Sequence, residues 1–436
     1  MESILIWVIT GATGLLIFLP YFLKFRKQQK EHIARRKEAE DLGIINPRAQ
    51  FPFIDTSLCI GCGSCVRACP EGDVLGIVYG KAAIINGVRC VGHGHCEKAC
   101  PVSAIKVGLG DVTTREDIPI LDEYYQSSVP GMFVVGELGG LSLIRNAIAQ
   151  GKTAVEKIAE NPQRSSDDAV KDLIIVGAGP AGLSAALTAQ KHHLSYLVLD
   201  QQDAGGTILQ YPRRKLVMTQ PVEIPLYGML KETEYSKEQL LEIWHDAIDK
   251  FKINIQAGWK VDTAVKDEGL FQVACTDSTF KSRHVVLAMG RRGTPRKLGV
   301  PGEDSPKVMY QLIDAQSYNN THVLVVGGGD SAVEAAVGLA RQKGNTVSVS
   351  YRKPKFFRIK KKNEDRINRL IAEKKIHPIF NSAVEEIREK SVRLRVENEI
   401  KEIPNDYVFV FAGGLPPFKM LKEMGIRFGG EARPLN

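Results

Sequence analysis

The chain has 436 residues, of which 44% are hydrophobic and 7% aromatic, an ordinary globular composition with room for two or three cored domains. Its formal net charge is +8, but residues 24–37 and 352–375 carry the excess of cations. No strand platform with interleaved aromatic residues accompanies either stretch, so nucleic-acid binding is not expected.

The amino-terminal stretch, residues 4–22, is almost entirely apolar or small and contains no charge. At about 1.5 Å per helical residue it is long enough to cross a bilayer with its flanks, which predicts a transmembrane helix in contact with membrane lipid. A signal peptide is the alternative, but the opening residues carry no cation and no small-residue cleavage site follows. The cations from Lys24 onward predict a single-pass protein of the cytoplasmic (inner) membrane, with its amino terminus outside and its bulk in the cytoplasm. Residues 28–41 predict a polar helical stalk that ends at Gly43 and Pro47.

Seven of the eight cysteines lie between Cys59 and Cys100, which indicates a metal centre rather than a disulfide framework. The first run has the spacing C-x2-C-x2-C-x3-C-P, and a second run half-repeats it up to Pro101. Residues 53–107 therefore resemble a bacterial two-cluster ferredoxin, and the proline and the repeat disfavour a zinc site. The resemblance implies that the last cysteine of each run crosses to the other cluster. One 4Fe-4S cluster would be held by Cys59, Cys62, Cys65 and Cys100, and the other by Cys69, Cys90, Cys96 and a fourth ligand.

The second run departs from the family, because His93 stands where a cysteine is expected. Since His93 falls on the ligand position itself, it is the expected fourth ligand of the second cluster. A neutral imidazole in place of a thiolate makes the site less negative and raises its reduction potential. Two alternatives remain: a three-iron (3Fe-4S) cluster with His93 as a bystander, or His95 as the ligand.

An apolar strand with the sequence VPGMFVVGE and a predicted helix over residues 141–160 follow the cysteines. The polar residues 161–169 then form a linker. Residues 173–176 predict a buried parallel strand that runs into a GxGxxG loop and a helix, and a second strand ends in Asp200 at the distance where a carboxylate receives a ribose hydroxyl. This pattern predicts a dinucleotide crevice formed by Gly177, Gly179, Pro180, Ala181, Gly182 and Asp200.

Residues 322–351 repeat this pattern of strand, glycine loop, helix and second strand. The second loop contains Gly327, Gly329, Asp330, Ser331 and Ala332, so a second nucleotide is expected. The following strand ends beside Arg352 and Lys353 instead of a carboxylate, which favours the 2′-phosphate of NADPH over NADH. The alternative is that both cations belong to a solvated basic face.

These loops, together with the segments AMGRRGTPRKLGVPGE and DYVFVFAGG, resemble the thioredoxin-reductase branch of the flavoproteins that bind FAD and NAD(P). The resemblance extends from about residue 171 to the end of the chain and implies hydride transfer from NADPH to FAD without a catalytic acid or base. The branch's reductases carry a CxxC before the second glycine loop, where this chain has VMYQLIDAQSYNNTH. Since dithiol exchange needs two sulfurs within reach, thiol reduction is not expected.

Residues 120–160 resemble the last segment of the same family, a strand, a Gly-Asp pair and a helix that meets the flavin ring. Here the segment precedes the first glycine loop, which predicts a circular permutation of the flavin domain. The resemblance implies further flavin contacts at Gly136, Glu137, Asn146, Ala147, Gly206, Thr207 and Gln210.

The expected fold is α/β, with two Rossmann-like three-layer domains, a small α+β ferredoxin-like domain and one transmembrane helix. The expected divisions are an anchor and stalk (1–45), a ferredoxin domain (46–110), the permuted flavin segment (111–165), the flavin domain (166–295), the NAD(P) domain (296–405) and a return to the flavin domain (406–436).

The combination predicts a membrane-anchored oxidoreductase that passes electrons between NAD(P)H, FAD, the clusters and a one-electron, quinone or cytochrome partner, or a soluble ferredoxin. A homodimer or a subunit of a complex is expected. The alternatives are an electron-transfer subunit of a larger respiratory complex, and a redox-sensing degenerate flavoprotein.

Overall fold

The structure is a computed structural model that describes residues 2–45, 50–109, 116–140, 143–162, 167–211, 213, 215–218, 221–232, 234–291 and 293–429, without the side chains of residues 2–6, 8, 50, 109, 216, 218 and 294. Its internal contacts divide the chain into two units. The first comprises Met1–Gly110 with Lys360–Lys362, and the second comprises Asp111–Ile359 with Asn363–Asn436.

The first unit begins with one helix of 40 residues, and Pro20 lies inside it. The predicted span and stalk are therefore parts of one continuous helix, and Gly43 follows it with a left-handed φ of +65°. Pro47 lies outside the described residues. The elements of this unit are α1 (Glu2–Asp41), β1 (Gln50–Ile54), α2 (Ser64–Ala68), β2 (Leu75–Val78), β3 (Lys81–Ile84), α3 (His95–Lys98) and β4 (Ile105–Leu109).

The predicted transmembrane span is not supported. In the part of the chain that the structure describes, no helix is both long enough and apolar enough to cross a membrane. The span falls in part on residues 4–6 and 8, whose side chains lie outside the described ones.

The twofold repeat of the cysteine runs is visible in the backbone. Strands β1 and β4 pair antiparallel, and β2 and β3 form a hairpin. Helix α2 begins after Gly63 and helix α3 after Gly94, and both glycines are left-handed, with φ of +71° and +78°. The same turn therefore delivers the cysteines of both runs into a shared core.

The second unit contains the predicted α/β layers. Its first part comprises β5 (Met132–Val134), α4 (Ile144–Ala159), β6 (Val170–Val176), α5 (Pro180–Lys191), β7 (Tyr196–Asp200), β8 (Leu216–Met218), β9 (Val222–Ile224), β10 (Gly228–Leu230), β11 (Glu234–Ser236), α6 (Lys237–Phe251), β12 (Ile255–Ala257), β13 (Val261–Asp267), β14 (Leu270–Cys275) and β15 (Ser278–Leu287). The main sheet has the order β12-β7-β6-β15-β14-β13, and β5 also pairs with β15. The apolar side chains of β6 alternate between two buried cores on opposite faces of this sheet.

The elements that follow along the chain are β16 (Thr294–Pro295), β17 (Val308–Met309), β18 (His322–Val326), α7 (Asp330–Ala340), β19 (Thr346–Tyr351), α8 (Lys361–Ala372), β20 (Ile376–Phe380), β21 (Ser382–Ile387), β22 (Ser391–Val396), β23 (Glu399–Pro404), β24 (Tyr407–Val410), β25 (Gly414–Leu415) and α9 (Phe418–Glu423). They include a second parallel sheet with the order β17-β24-β18-β19-β20 and a three-stranded antiparallel sheet with the order β21-β22-β23. The α/β fold with two glycine-loop units is confirmed.

The last described residues, 427–429, are hydrogen-bonded to the segment that precedes β5. Ile120 N donates to Arg427 O at 2.9 Å, and Gly429 N donates to Ile118 O at 3.2 Å. Phe428, which lies between these bonds, is fully buried. The last described residues and the first described residues of this unit are therefore neighbours in one folded layer.

Candidate functional site

The first glycine loop lies at the carboxyl end of β6. Gly177 has a φ of +110°, and a Cβ there would come within 2.6 Å of Ala288 O. A Cβ on Gly182 would collide with Gly177 O. The loop needs glycine at both positions, and α5 starts at Pro180 with its amino-terminal N–H groups directed toward the crevice. This geometry suits a pyrophosphate.

Asp200 closes the far side of this crevice. Its Oδ2 accepts a hydrogen bond from Ala178 N at 2.6 Å, and its Oδ1 accepts one from Gln202 N at 2.8 Å. Burial raises the pKa of the Asp200 carboxyl, and these hydrogen bonds oppose that shift. Each carboxylate oxygen keeps another lone pair, so the side chain can still receive ribose hydroxyls.

The segment from β5 to α4, which precedes the first glycine loop in the sequence, forms a wall of the same crevice. Strand β5 pairs parallel with the carboxyl-terminal half of β15, and Gly136, with a φ of +79°, lies two residues beyond the end of β5. Gly136 N donates to Gln150 Oε1 at 2.7 Å, and Ser184 Oγ donates to Ile148 O at 2.7 Å. Helices α4 and α5 cross so closely at Gly151 that a Cβ there would collide with Ala181 O.

Most of the residues that the sequence predicts for flavin binding line one cavity. These are Gly136, Glu137, Ala147, Gly177, Gly179, Pro180, Ala181, Asp200, Gly206 and Thr207. Asn146 lies on α4 next to Ala147 and is not among the lining residues. Gln210 donates instead to Gln202 Oε1 at 3.1 Å. Sequence reasoning missed Tyr211, Met289 and Gly290, which also line the cavity. Met289 and Gly290 belong to the AMGRRG segment, which resembles the family and could have indicated them.

The second glycine loop repeats the arrangement. Gly327 has a φ of +142°, and a Cβ there would come within 2.6 Å of Phe411 O. Helix α7 begins at Asp330 and contains Ser331 and Ala332 in its first turn, after Gly329 as its cap. Asp330 Oδ1 accepts a hydrogen bond from the buried Asn363 amide at 2.7 Å, so this carboxylate is already engaged inside the protein.

An aromatic ring covers the middle of this loop. A Cβ on Gly328 would collide with the ring of Tyr351, which itself stacks on Phe356 with ring centroids 5.8 Å apart. Arg352 and Lys353 follow Tyr351 at the end of β19 and are exposed. Because β19 pairs parallel with β18, both cations lie at the edge of the sheet that carries the loop. That placement is compatible with a 2′-phosphate.

The first set of predicted cluster ligands converges. Cys59, Cys62, Cys65 and Cys100 line one small cavity. Ala82 N donates to Cys59 Sγ at 3.3 Å, and Ala104 N donates to Cys100 Sγ at 3.2 Å. Backbone N–H groups directed at sulfur stabilise thiolates and tune cluster potentials, so the donor set fits an iron-sulfur cluster.

The second set surrounds another cavity, which is lined by Cys69, Cys90 and Cys96 together with His93 and His95. His93 Nε2 lies 3.1 Å from Oε1 of the buried Glu71. Both histidines therefore stay candidates for the fourth ligand. Sequence reasoning missed Glu71, because nothing in the cysteine spacing points to a carboxylate after the Cys-Pro pair.

Burial governs the protonation of several of these side chains. It raises the pKa of the Cys65 and Cys96 thiols to about 11, so a bound cation is required to hold them as thiolates at neutral pH. Burial also raises the pKa of the Glu71 carboxyl, but the hydrogen bond with His93 and nearby positive charge outweigh it and leave the pKa below its usual value. Among the described residues, no group of three such side chains is arranged to hold a single metal ion.

Comparisons with known proteins agree with this geometry. A family model described as pyridine nucleotide-disulphide oxidoreductase matches residues 174–435, and a 4Fe-4S dicluster domain model matches residues 51–101. Bacilliredoxin reductase Bdr from Bacillus subtilis is 29% identical over 264 residues, which are 59% of this chain and 81% of that protein. A ferredoxin-NADP reductase from Ignicoccus hospitalis is 27% identical over 286 residues, which are 60% of this chain and 83% of that protein.

A solved structure supports the same assignment. Bacillithiol disulfide reductase Bdr (YpdA) from Staphylococcus aureus is 29% identical, with a TM-score of 0.53, and the match covers 59% of this chain and 80% of that one. The chain therefore belongs to the pyridine nucleotide-disulphide oxidoreductase family, as a flavin-dependent oxidoreductase that also carries a 4Fe-4S dicluster domain.

Proposed function

We propose that this protein transfers electrons between NADPH, FAD, two 4Fe-4S clusters and a redox partner at the cytoplasmic membrane. The observation that carries the proposal is the presence in one chain of two glycine-loop crevices and two convergent cysteine groups. After Cys100 the sequence contains only Cys275, which is buried in β14. One relative is named a ferredoxin-NADP reductase. Here a ferredoxin-like acceptor is part of the chain.

The contribution of the protein is to bind and orient its cofactors. A flavin held in this crevice would supply the redox chemistry, because it can accept a hydride and release electrons singly. Gly177 and Gly179 would admit its pyrophosphate, Asp200 would receive the ribose, and Gly136 would contribute to the wall of its site. Cys59, Cys62, Cys65 and Cys100 would hold one cluster, and Cys69, Cys90 and Cys96 with His93 the other. No side chain needs to act as an acid or base in the hydride step.

The flavin domain is, on this proposal, circularly permuted. Residues 120–160 would supply the strand and helix that resemble the last segment of the family. The pairing of β5 with β15 and the bond from Ile120 to Arg427 support it. The matches also leave about a fifth of each relative uncovered, as expected if one segment of the flavin domain occupies a different position in this sequence.

Membrane attachment through α1 is the further part of the proposal. Large apolar side chains are exposed along it, including Trp7, Leu16 and Phe18. The cations that begin at Lys24 would then keep the bulk of the protein in the cytoplasm, with the amino terminus outside. The partner would be a quinone-reacting or cytochrome complex, and the protein would act as a homodimer or as a subunit of that complex.

Anaerobic stopped-flow mixing tests the proposal. The purified protein is mixed with NADPH or NADH, and flavin and iron-sulfur absorbance are followed separately. Flavin bleaching should precede cluster reduction, with NADPH the faster donor. Flavin reduction that never reaches the clusters would contradict the proposed route. An electron-transfer subunit without an acceptor of its own would reduce its clusters yet turn over only artificial acceptors, and a degenerate sensor would not bleach at all.

A further inference from the structure

A large open pocket lies between α1 and the loop that carries the first cysteine group. Its volume is about 740 Å³, and its walls include Leu15, Phe18, Leu19 and Phe22 on the helix, with Cys62 and Val66 opposite. All of these residues belong to the first unit. The volume is within the range of roughly 300–1,000 Å³ that is usual for small-molecule sites.

The helix is held against the cluster domain by specific contacts. His32 Nδ1 accepts a hydrogen bond from Ile77 N at 3.0 Å, and Arg35 forms an ion pair with Asp73. A Cβ on Gly76 would lie within 2.9 Å of His32 Cγ, so the glycine permits this close approach. The pocket is therefore formed by two elements that are docked on each other.

The pocket opens onto the first cysteine group at its exposed edge. Cys59 and Cys65 are buried, whereas Cys62 is exposed and also lines the pocket. Electron transfer weakens steeply with distance, so a molecule in the pocket would be in the best position to exchange electrons with iron bound there.

The chemistry of the walls selects the class of molecule. Most are aliphatic or aromatic, and polar side chains are supplied by Tyr21, Gln28, His32 and Arg67. The Arg67 guanidinium already donates to Cys62 O and to Ser64 Oγ. Because His32 Nδ1 accepts the bond from Ile77, a neutral imidazole carries its proton on Nε2 and can donate it in a hydrogen bond to a carbonyl oxygen. An apolar ring with carbonyl oxygens and an apolar tail satisfies both features, whereas a hydrophilic protein would leave the apolar walls uncovered.

We propose that this pocket binds a lipid-soluble quinone and that the protein reduces it to the quinol. The inference rests on the proposed function and names its acceptor. One NAD(P)H loses a hydride, which supplies two electrons and one proton, and a second proton comes from water. The two electrons reach the quinone one at a time. Its two C=O groups become C–OH groups as each oxygen gains a proton.

The test uses the full-length protein with its cofactors, purified in detergent, and ubiquinone-1 as the probe. Leu19→Trp places a bulky side chain in the pocket. Leu16→Trp is the matched control, because Leu16 lies on the same helix, is 75% exposed and does not line the pocket. Flavin and iron content of both variants is measured to establish that the cofactors are retained.

Leu19→Trp should lower kcat/KM for ubiquinone-1 by about tenfold or more, because overpacking a site costs on that order. It should leave NADPH-dependent ferricyanide reduction unchanged, and Leu16→Trp should change neither rate. Ubiquinone-1 should also shift the EPR spectrum of the reduced first cluster in the parent protein but not in Leu19→Trp. Equal quinone rates in both variants, or no spectral shift in the parent, would overturn the quinone site. Ferricyanide reduction without any quinone reduction would remove only this inference, whereas failure to reduce either acceptor would remove the proposed function.

Discussion

His93 Nε2 and Glu71 Oε1 lie 3.1 Å apart in the wall of the second cysteine cavity. The Glu71 side chain is only 8% exposed and that of His93 14%. Because the pKa of Glu71 is lowered, the carboxylate is ionised at neutral pH and accepts a hydrogen bond from Nε2. A neutral His93 that donates from Nε2 carries its lone pair on Nδ1, which is then the nitrogen able to bind a metal. Carboxylates that orient histidine ligands in this way are common around metal sites.

Glu71→Gln should raise the potential of the second cluster while leaving the first unchanged. Loss of a buried negative charge favours the added electron, and we expect a shift on the order of 50 mV, since 59 mV is tenfold for one electron. EPR-monitored redox titration measures it. Glu97→Gln is the control, because Glu97 follows Cys96 but is exposed and screened by solvent. Equal shifts of the potential in both variants would show that Glu71 acts only through the net charge of the domain and not through its contact with His93.

His93→Cys should lower the potential of the second cluster, because a thiolate adds negative charge where the imidazole was. The same titration provides the measurement, and His95→Ala should leave that potential unchanged. If the parent protein shows a three-iron signal that becomes a four-iron signal in His93→Cys, then His93 is not a ligand. If His95→Ala shifts the potential and His93→Cys does not, then the fourth ligand is His95 and not His93.

Combining Arg352→Ala with Lys353→Glu should raise KM for NADPH at least about tenfold and leave KM for NADH nearly unchanged. A charge-assisted bond to phosphate contributes roughly 1.5 to 3 kcal/mol, and NADH has no 2′-phosphate. Initial rates with ferricyanide as acceptor provide both constants. Lys355→Ala is the control within the same basic stretch. Equal effects on both nucleotides would place Arg352 and Lys353 on a solvated face.

Gly151→Val should greatly weaken flavin retention and leave the iron content intact. The new side chain collides with Ala181 O at the crossing of α4 and α5, and this displaces the segment that carries Gly136. Flavin absorbance and iron analysis of the purified protein measure the two effects. Ala149→Val introduces the same side chain at an exposed position on α4 and should retain flavin. Full flavin occupancy in Gly151→Val would mean that α4 is not part of the flavin site.

The glycine loops of the site could be predicted from the sequence, because a few consecutive residues determine the backbone conformation of such a loop. Gly177, Gly179 and Pro180 form a tight turn and a helix start wherever they follow a buried strand. The cysteine spacing similarly indicates an iron-sulfur site, and the ferredoxin resemblance implies which cysteines form the two groups that line the two cavities. The expectation that residues 120–160 belong to the flavin domain came from a resemblance and not from spacing. The pairing of β5 with β15 joins segments about 150 residues apart, which no local pattern predicts.

Other features depend on three-dimensional context that no local pattern encodes. The burial of Glu71 and its orientation toward His93 arise from the packing of two separate loops. Proline lacks the N–H that a helix interior needs, yet α1 continues through Pro20 and joins the predicted span to the predicted stalk. The docking of His32 on Gly76 depends on a strand more than 40 residues later in the chain.

The pairing of β5 with β15 also determines when the flavin domain can be completed during synthesis. Val134 pairs with Leu287, so a ribosome makes one strand 153 residues before its partner. At about 5–20 residues per second this delay is roughly 8 to 30 s. During that time the apolar strand Met132–Val134 has no sheet to join, and the nascent chain must be kept from aggregating. Since Phe428 is fully buried in this layer, the domain cannot be completed before residue 428 has been synthesised, and flavin loading is expected to follow that step.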